Sequence, residues 1–138
     1  MRILILCTGN SCRSQMAHGF MQSFDKEIEI RSAGTFPASR VSHRAIKVMA
    51  ESGIDIRDQT PDNVSQYLSD EWDYVITVCD NAREMCPVFT AKVHRQIHLG
   101  FEDPSEFLGS EEQKMKEFRR IRDEIKNAFH NFYKEFIS

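Results

Sequence analysis

Apolar residues along this chain fall into short unbroken runs and helically spaced stripes, and the two kinds alternate. Ile3 to Leu6 is a branched apolar run ended at once by Cys7-Thr8-Gly9-Asn10, as expected of a strand buried on both faces of a parallel sheet. From Ser14 onward, Met16, Ala17, Phe20, Met21 and Phe24 recur at helical spacing, with Ser14 placed to help start the helix. Ile28 and Ile30 before Ser32-Ala33-Gly34 predict a second strand, and Ala45, Ile46 and Met49 a second helix ending near Gly53. Val64, Tyr67 and Leu68 predict a short helix beginning at Pro61 or Asp62, followed by a third apolar strand from Tyr74 to Val78. Val93, Ile97 and Leu99 outline a last short strand, and the stripe Met115, Phe118, Ile121, Ile125, Phe129, Phe132 and Phe136 a long C-terminal helix packed into the core.

Strands alternating with helices predict a three-layer α/β fold built on a four-stranded parallel sheet. In such sheets ligands bind beyond the carboxyl ends of the strands, here the loops starting at Cys7, Cys79 and Gly100. A length of 138 residues suits a single domain spanning residues 1–138. With 41% hydrophobic and 28% charged residues and no low-complexity tract the composition is globular. The net charge of -3 gives no general attraction to nucleic acid or anionic lipid, so an anion needs a local site. The N-terminal apolar run is too short for a signal peptide or a membrane span. A cytoplasmic location follows as the expectation, and there the four cysteines are expected to be catalytic or redox-active rather than structural disulfides.

The chemistry concentrates in Cys7-Thr8-Gly9-Asn10-Ser11-Cys12-Arg13-Ser14, between a buried strand and a helix N-terminus. Backbone N–H groups of Thr8, Gly9, Asn10, Ser11, Cys12, Arg13 and Ser14 in such a loop can point inward, and the helix end adds partial positive charge, so a tetrahedral oxyanion is favoured there. The Arg13 fork can take two of its oxygens, and its charge favours Cys7 as the nucleophilic thiolate. Ser14 could donate to that thiolate, Gly9 would supply a backbone conformation closed to other residues, and Asn10 could hold the loop through bonds to neighbouring backbone. Asp103, restrained by Pro104, is the candidate proton donor, the plainer alternative being a turn in which it bonds local amides. Cys79 and Cys86, separated by a polar stretch that reads as mobile, are superfluous for hydrolysis. A reductase has use for them, since a thiol pair delivers two electrons by becoming a disulfide.

These residues, with Gln15-Met16-Ala17, Ser32-Ala33-Gly34, Val78-Cys79, Cys86-Pro87, Gly100-Phe101 and Asp103-Pro104, strongly resemble the thioredoxin-coupled arsenate reductases, which share a fold with low-molecular-weight protein tyrosine phosphatases. The likeness spans nearly the whole chain, and Gln15 after Arg-Ser is the reductase form where the phosphatases typically carry proline. The resemblance implies that Cys7 attacks arsenate, Asp103 protonates the departing hydroxyl, Cys79 attacks Cys7 to release arsenite, and Cys86 attacks Cys79. The resulting Cys79–Cys86 disulfide would then be reduced by thioredoxin. Cys12 belongs to the family's loop without a relay step. Some members have a potassium site of asparagine, glutamate, serine and aspartate. Asn10, Ser32 and Asp62 match three of these, while His18 stands in the glutamate's place, so neither a required metal nor another cofactor is expected. A monomer is the expected state.

Two other readings compete. A low-molecular-weight phosphatase would use the same Cys7, Arg13 and Asp103 to hydrolyse phosphotyrosine through a Cys7 phosphoenzyme, though Ser105-Glu106 stands where aromatic residues usually hold the phenyl ring. A metal or redox-sensing module is disfavoured by loose cysteine spacing and by histidines forming no close pair except His94 and His98, which alternation assigns to a shared solvent face. Arg119, Arg120 and Arg122, set among acids, read as a solvated surface.

Overall fold

In the computed structural model, which describes residues 1–138, the elements run β1 (Arg2–Cys7), α1 (Arg13–Phe24), β2 (Glu29–Gly34), α2 (His43–Glu51), β3 (Trp72–Thr77), α3 (Asp80–Glu84), β4 (Val93–His98) and α4 (Glu111–Phe136). The four strands form one parallel sheet in the order β2-β1-β3-β4, flanked by helices as expected. Ile3 to Leu6 in the central β1 are wholly buried, which accounts for the unbroken apolar run: a strand covered on both faces has no position for a polar side chain. β2 and β4 are the edge strands, and β4 is half exposed, so it needs few apolar residues. No helix is long and apolar enough to cross a membrane.

α1 packs on β1 and β2 and against α2 and α4, whereas α3 touches β1 and β3. The apolar stripe of α4 is core, as its spacing predicts: Phe118, Ile121, Ile125, Phe129 and Phe132 are buried, and Phe129 stands between the rings of Phe101 and Phe132. Ser110 caps this helix with a reciprocal pair of bonds to Gln113, satisfying two of its free terminal groups. Gly53, at a φ of 77°, ends α2 at the predicted place because the left-handed residue after a helix favours glycine.

Several expectations are corrected. α1 begins at Arg13 with Cys12 as its cap, and Ser14 serves another purpose described below. The helix predicted from Pro61 or Asp62 is a single 3-10 turn at Val64–Tyr67, capped by Asn63, since only Val64 offers it a buried anchor. The polar stretch after Cys79 is not a loop but α3, too short for apolar periodicity to register. Arg122 is not solvated: its guanidinium donates to the Val48 carbonyl and to Glu51, joining α4 to α2. His94 is exposed as expected, but His98 is half-buried between Thr77 and Asp80.

Truncating Phe129, which has 0% exposure, removes an aromatic that the surrounding rings cannot collapse to replace. Phe129→Ala is expected to cost about 3–5 kcal/mol, read as a lower urea midpoint with an unchanged slope.

Candidate active site

The loop from Cys7 to Arg13 is shaped by what its carbonyls do. Those of Cys7, Thr8, Gly9 and Ser11 accept from the amides of Thr35, Phe36, Ala38 and Ser42, at 3.2, 2.9, 2.8 and 2.8 Å. With the carbonyls turned outward onto the 35–42 segment, the loop's amides face the opposite way, into the cleft, as an anion cradle requires. Asn10 carries the left-handed turn at a φ of 50°, correcting the assignment of that freedom to Gly9. Its side chain accepts from the Asp62 amide (2.9 Å) and donates to Ser14 Oγ (2.7 Å), while Gln15 Nε2 donates to its carbonyl (2.8 Å). Asn10 thus bonds a distant segment rather than neighbouring backbone, and the bond Ser14 makes is from Asn10 rather than to Cys7. Gly34 lies directly against the Thr8 carbonyl, where any Cβ would collide.

Arg13 roofs this cradle. Its Nη1 donates to the Phe101 carbonyl (3.0 Å), its Nη2 lies 3.5 Å from Asp103 Oδ2, and its Nε is buried without a partner. A buried guanidinium donor left unpaired is costly unless an acceptor reaches it, and Arg13 lines a cleft of about 790 Å³ between the Cys7 loop and the residues from Gly100 to Asp103. Asp103 makes the local turn of the plainer reading, Oδ1 accepting from the amide and hydroxyl of Ser105 (3.0 and 2.6 Å), while Oδ2 faces Arg13. Cys12 is buried beneath the loop, and burial, with Asp103 nearby, pushes its thiol up and keeps it protonated.

Cys79 caps α3, its sulfur accepting from the Ala82 amide at 3.4 Å and lying 3.4 Å from the Thr8 hydroxyl, which donates to Asn81 (3.0 Å). It stands close enough to Cys7 for the two thiols to share one proton. The proton offered by Cys7 is the largest influence on Cys79, which is held down at about 5 against the opposing effect of burial and with help from Thr8, the Ala82 amide and Arg13. Cys7 is correspondingly pushed up, first by Cys79 and then by burial, with Arg13 pulling the other way. With the cradle free, the two thiols are therefore coupled through that proton, and Arg13 favours the charged form of each, in line with its expected effect on Cys7. Cys86 is not part of this cluster: half-buried, it donates weakly to the Pro87 carbonyl (3.7 Å), lines a separate cleft with Val88 and Phe89, and is pushed up by burial. All four cysteines are free thiols.

Residues 2–137 match the model of the low molecular weight phosphotyrosine protein phosphatases. The chain belongs to that family. Within it, an arsenate reductase of Halalkalibacterium halodurans is 44% identical over 131 residues, 94% of this chain and 93% of its own. A solved arsenate reductase in its phosphate-binding state superposes with a TM-score of 0.81 at 31% identity, covering 97% of each chain. A thioredoxin-dependent arsenate reductase of Corynebacterium glutamicum gives a TM-score of 0.68 at 27% identity over 96% of this chain and 60% of that one.

As a member of this family the chain departs at the cation position. His18 Nδ1 lies 3.0 Å from Ser32 Oγ, and burial, followed by the charge of Arg31, pulls His18 down to about 4, so its ring is neutral. Asp62 Oδ2 accepts from the Tyr67 hydroxyl, and the Asn10 oxygen from the Asp62 amide. A neutral imidazole among oxygens already engaged does not fit potassium, a hard cation wanting free carboxylate and carbonyl donors. No group of three or more histidine, cysteine or acidic side chains is arranged to hold a metal. The residues missed in the sequence are Thr8 as a link to α3 and His98 as its neighbour. The only available signal was Cys79-Asp80 at a strand end, a cap followed by an acid at the first helical position.

The shared proton has a spectroscopic consequence. Thiolate absorbance of the reduced protein is expected to rise through about pH 5, far below an ordinary cysteine. Cys79→Ala should abolish that transition, and Cys7→Ala, by removing the largest cause, should move it upward. A single transition near the ordinary thiol range in the parent protein would contradict the shared proton.

Proposed function

We propose that this protein is an arsenate reductase working through Cys7, Cys79 and Cys86. The observation carrying the proposal is the Cys7–Cys79 pair: a second thiol, already held down at about 5, stands beside the nucleophile at the anion cradle. A phosphatase completing its cycle with water has no use for that thiol, and relatives at 43, 44 and 46% identity are arsenate reductases.

In the proposed first step arsenate binds the inward loop amides and the Arg13 fork, releasing Asp103 from its ion pair. Cys7 forms a sulfur–arsenic bond and its proton passes by way of Asp103 to the departing hydroxyl, so the net change is loss of one water. The Cys79 thiolate then attacks Cys7 Sγ. A disulfide forms, the sulfur–arsenic bond breaks, and its electron pair stays on arsenic, which leaves reduced as arsenite. Cys86 attacks Cys79 in turn and frees Cys7. A dithiol protein of the thioredoxin class reduces the Cys79–Cys86 disulfide, a partner supported by the thioredoxin-dependent neighbour in Corynebacterium glutamicum. We infer a monomer acting in the cytoplasm, where free thiols persist.

The last intramolecular step demands motion. Five of the six residues between Cys79 and Cys86 lie in α3, and a helical rise over that spacing is roughly 10 Å, beyond the ~7 Å limit between Cα atoms for a disulfide. α3 must therefore unwind before Cys86 reaches Cys79.

Arsenate-dependent NADPH consumption with thioredoxin and its reductase tests the proposal. Cys7→Ser is expected to abolish turnover, and Cys86→Ser to release one equivalent of arsenite and then stop as a Cys7–Cys79 disulfide visible by peptide mass. Hydrolysis of p-nitrophenyl phosphate without arsenate-dependent turnover would leave the Cys7 cradle standing and replace the relay by phosphatase chemistry.

A further inference from the structure

The segment carrying Cys79 is held at its start by a side chain outside the reaction sequence. His98, the last residue of β4, lies beside Thr77 in the strand register. Its Nδ1 is 2.8 Å from Thr77 Oγ1 and its Nε2 is 3.1 Å from Asp80 Oδ1. Asp80 is the first residue of α3, immediately after Cys79. A carboxylate only accepts, so the Nε2 proton points to Asp80. In the neutral ring Nδ1 then accepts from the Thr77 hydroxyl, and both ring nitrogens are used. The ring has little freedom to leave: Gly100 passes so close that a Cβ there would lie 2.8 Å from Nε2. Asp80 is otherwise open, its side chain 77% exposed with only Arg83 nearby at 3.7 Å.

We infer that His98 is a positioning residue, latching Asp80 so that the first turn of α3 stays formed and the Cys79 sulfur stays aimed at Cys7. The inference rests on the relay proposed above, because it concerns the step in which Cys79 attacks Cys7. The cap is also held by the Ala82 amide, which donates to the sulfur, and by Thr8, whose hydroxyl donates to Asn81 and lies 3.4 Å from the sulfur. The Thr8 contacts act on the Cys7 side of the segment and the Ala82 bond within it, whereas the latch is its tie to β4. Because α3 must unwind for Cys86 to reach Cys79, a tie at one end that opens without disturbing the cradle lets the same segment be ordered for one step and released for the next. Thr77 and Gly100 are the fixed seat, and Asp80 is the part that moves.

The experiment compares Asp80→Ala, which removes the acceptor, with Asp80→Asn, whose carbonyl can still accept the Nε2 proton, both in the Cys86→Ser background. One turnover with arsenate is followed by quenched peptide mass for the Cys7–Cys79 disulfide, and amide exchange is read at Ala82 to Met85. Asp80→Ala is expected to slow disulfide formation about five-fold, the kinetic equivalent of one hydrogen bond, and to speed exchange in α3 to a similar degree. Asp80→Asn should restore both, and His98→Ala should match Asp80→Ala in both. Parent-like rate and exchange in Asp80→Ala, with the disulfide forming normally in the parent background, would overturn the latch alone. Failure of the Cys86→Ser protein itself to form any Cys7–Cys79 disulfide would overturn the relay and the latch with it.

Discussion

The catalytic edge of this fold depends on one buried residue in an unfavourable backbone conformation. Asn10 has no exposed surface and sits at a positive φ, where a side chain is tolerated only when its surroundings over-determine it. Here they do: its amide group bridges the start of α1 through Ser14 and the 60–62 segment through Asp62, and its carbonyl is held by Gln15. Gln15 is in turn held by Gln59. This buried polar chain turns the peptide units so that carbonyls face the 35–42 segment and amides face the cleft. The position of Arg13 and the approach of Cys7 to Cys79 follow from it, because both residues leave the same loop.

A second consequence of that loop is electrostatic. A cradle of amides at a helix N-terminus with a buried guanidinium is a strongly positive place, and some negative charge must be present for it to be stable while free. Asp103 supplies part by pairing with Arg13, and the coupled Cys7 and Cys79 thiols, whose charged forms Arg13 favours, add to it. Family relationship leaves the chemistry open, since one cradle serves hydrolysis and reduction alike. What favours reduction here is the company Cys7 keeps rather than the cradle itself.

Much of this was readable from the sequence, and the failures have identifiable causes. β1 and α4 were legible because burial on both faces leaves an unbroken apolar run and burial along one stripe a period of 3.6 residues. The Cys7 loop was legible because cysteine, glycine, asparagine and arginine occurred together between two such elements. α3 was not, because five polar residues stabilised by a thiol cap leave no periodic trace. The positive φ at Asn10 was assigned to Gly9 because intrinsic freedom is a property of a residue, whereas the bonds that hold Asn10 come from residues up to 52 positions away. The coupling of Cys7 to Cys79 was missed for the same reason: their nearness is created by parallel pairing of β1 with β3 and has no local signature.

Gly34 carries the argument into folding. As the last residue of β2 it pairs with Cys7 in the sheet and lies against the Thr8 carbonyl. Sheets resist slippage because a shift of one residue exchanges buried and exposed faces, but the segment from Ser32 to Gly34 is buried throughout and would feel that exchange only weakly. A slip there would instead drive the methyl group of Ala33 into the peptide that shapes the anion cradle. The missing side chain at Gly34 is thus a registration mark for the edge strand, so a misaligned sheet and a misshapen cradle are one and the same error.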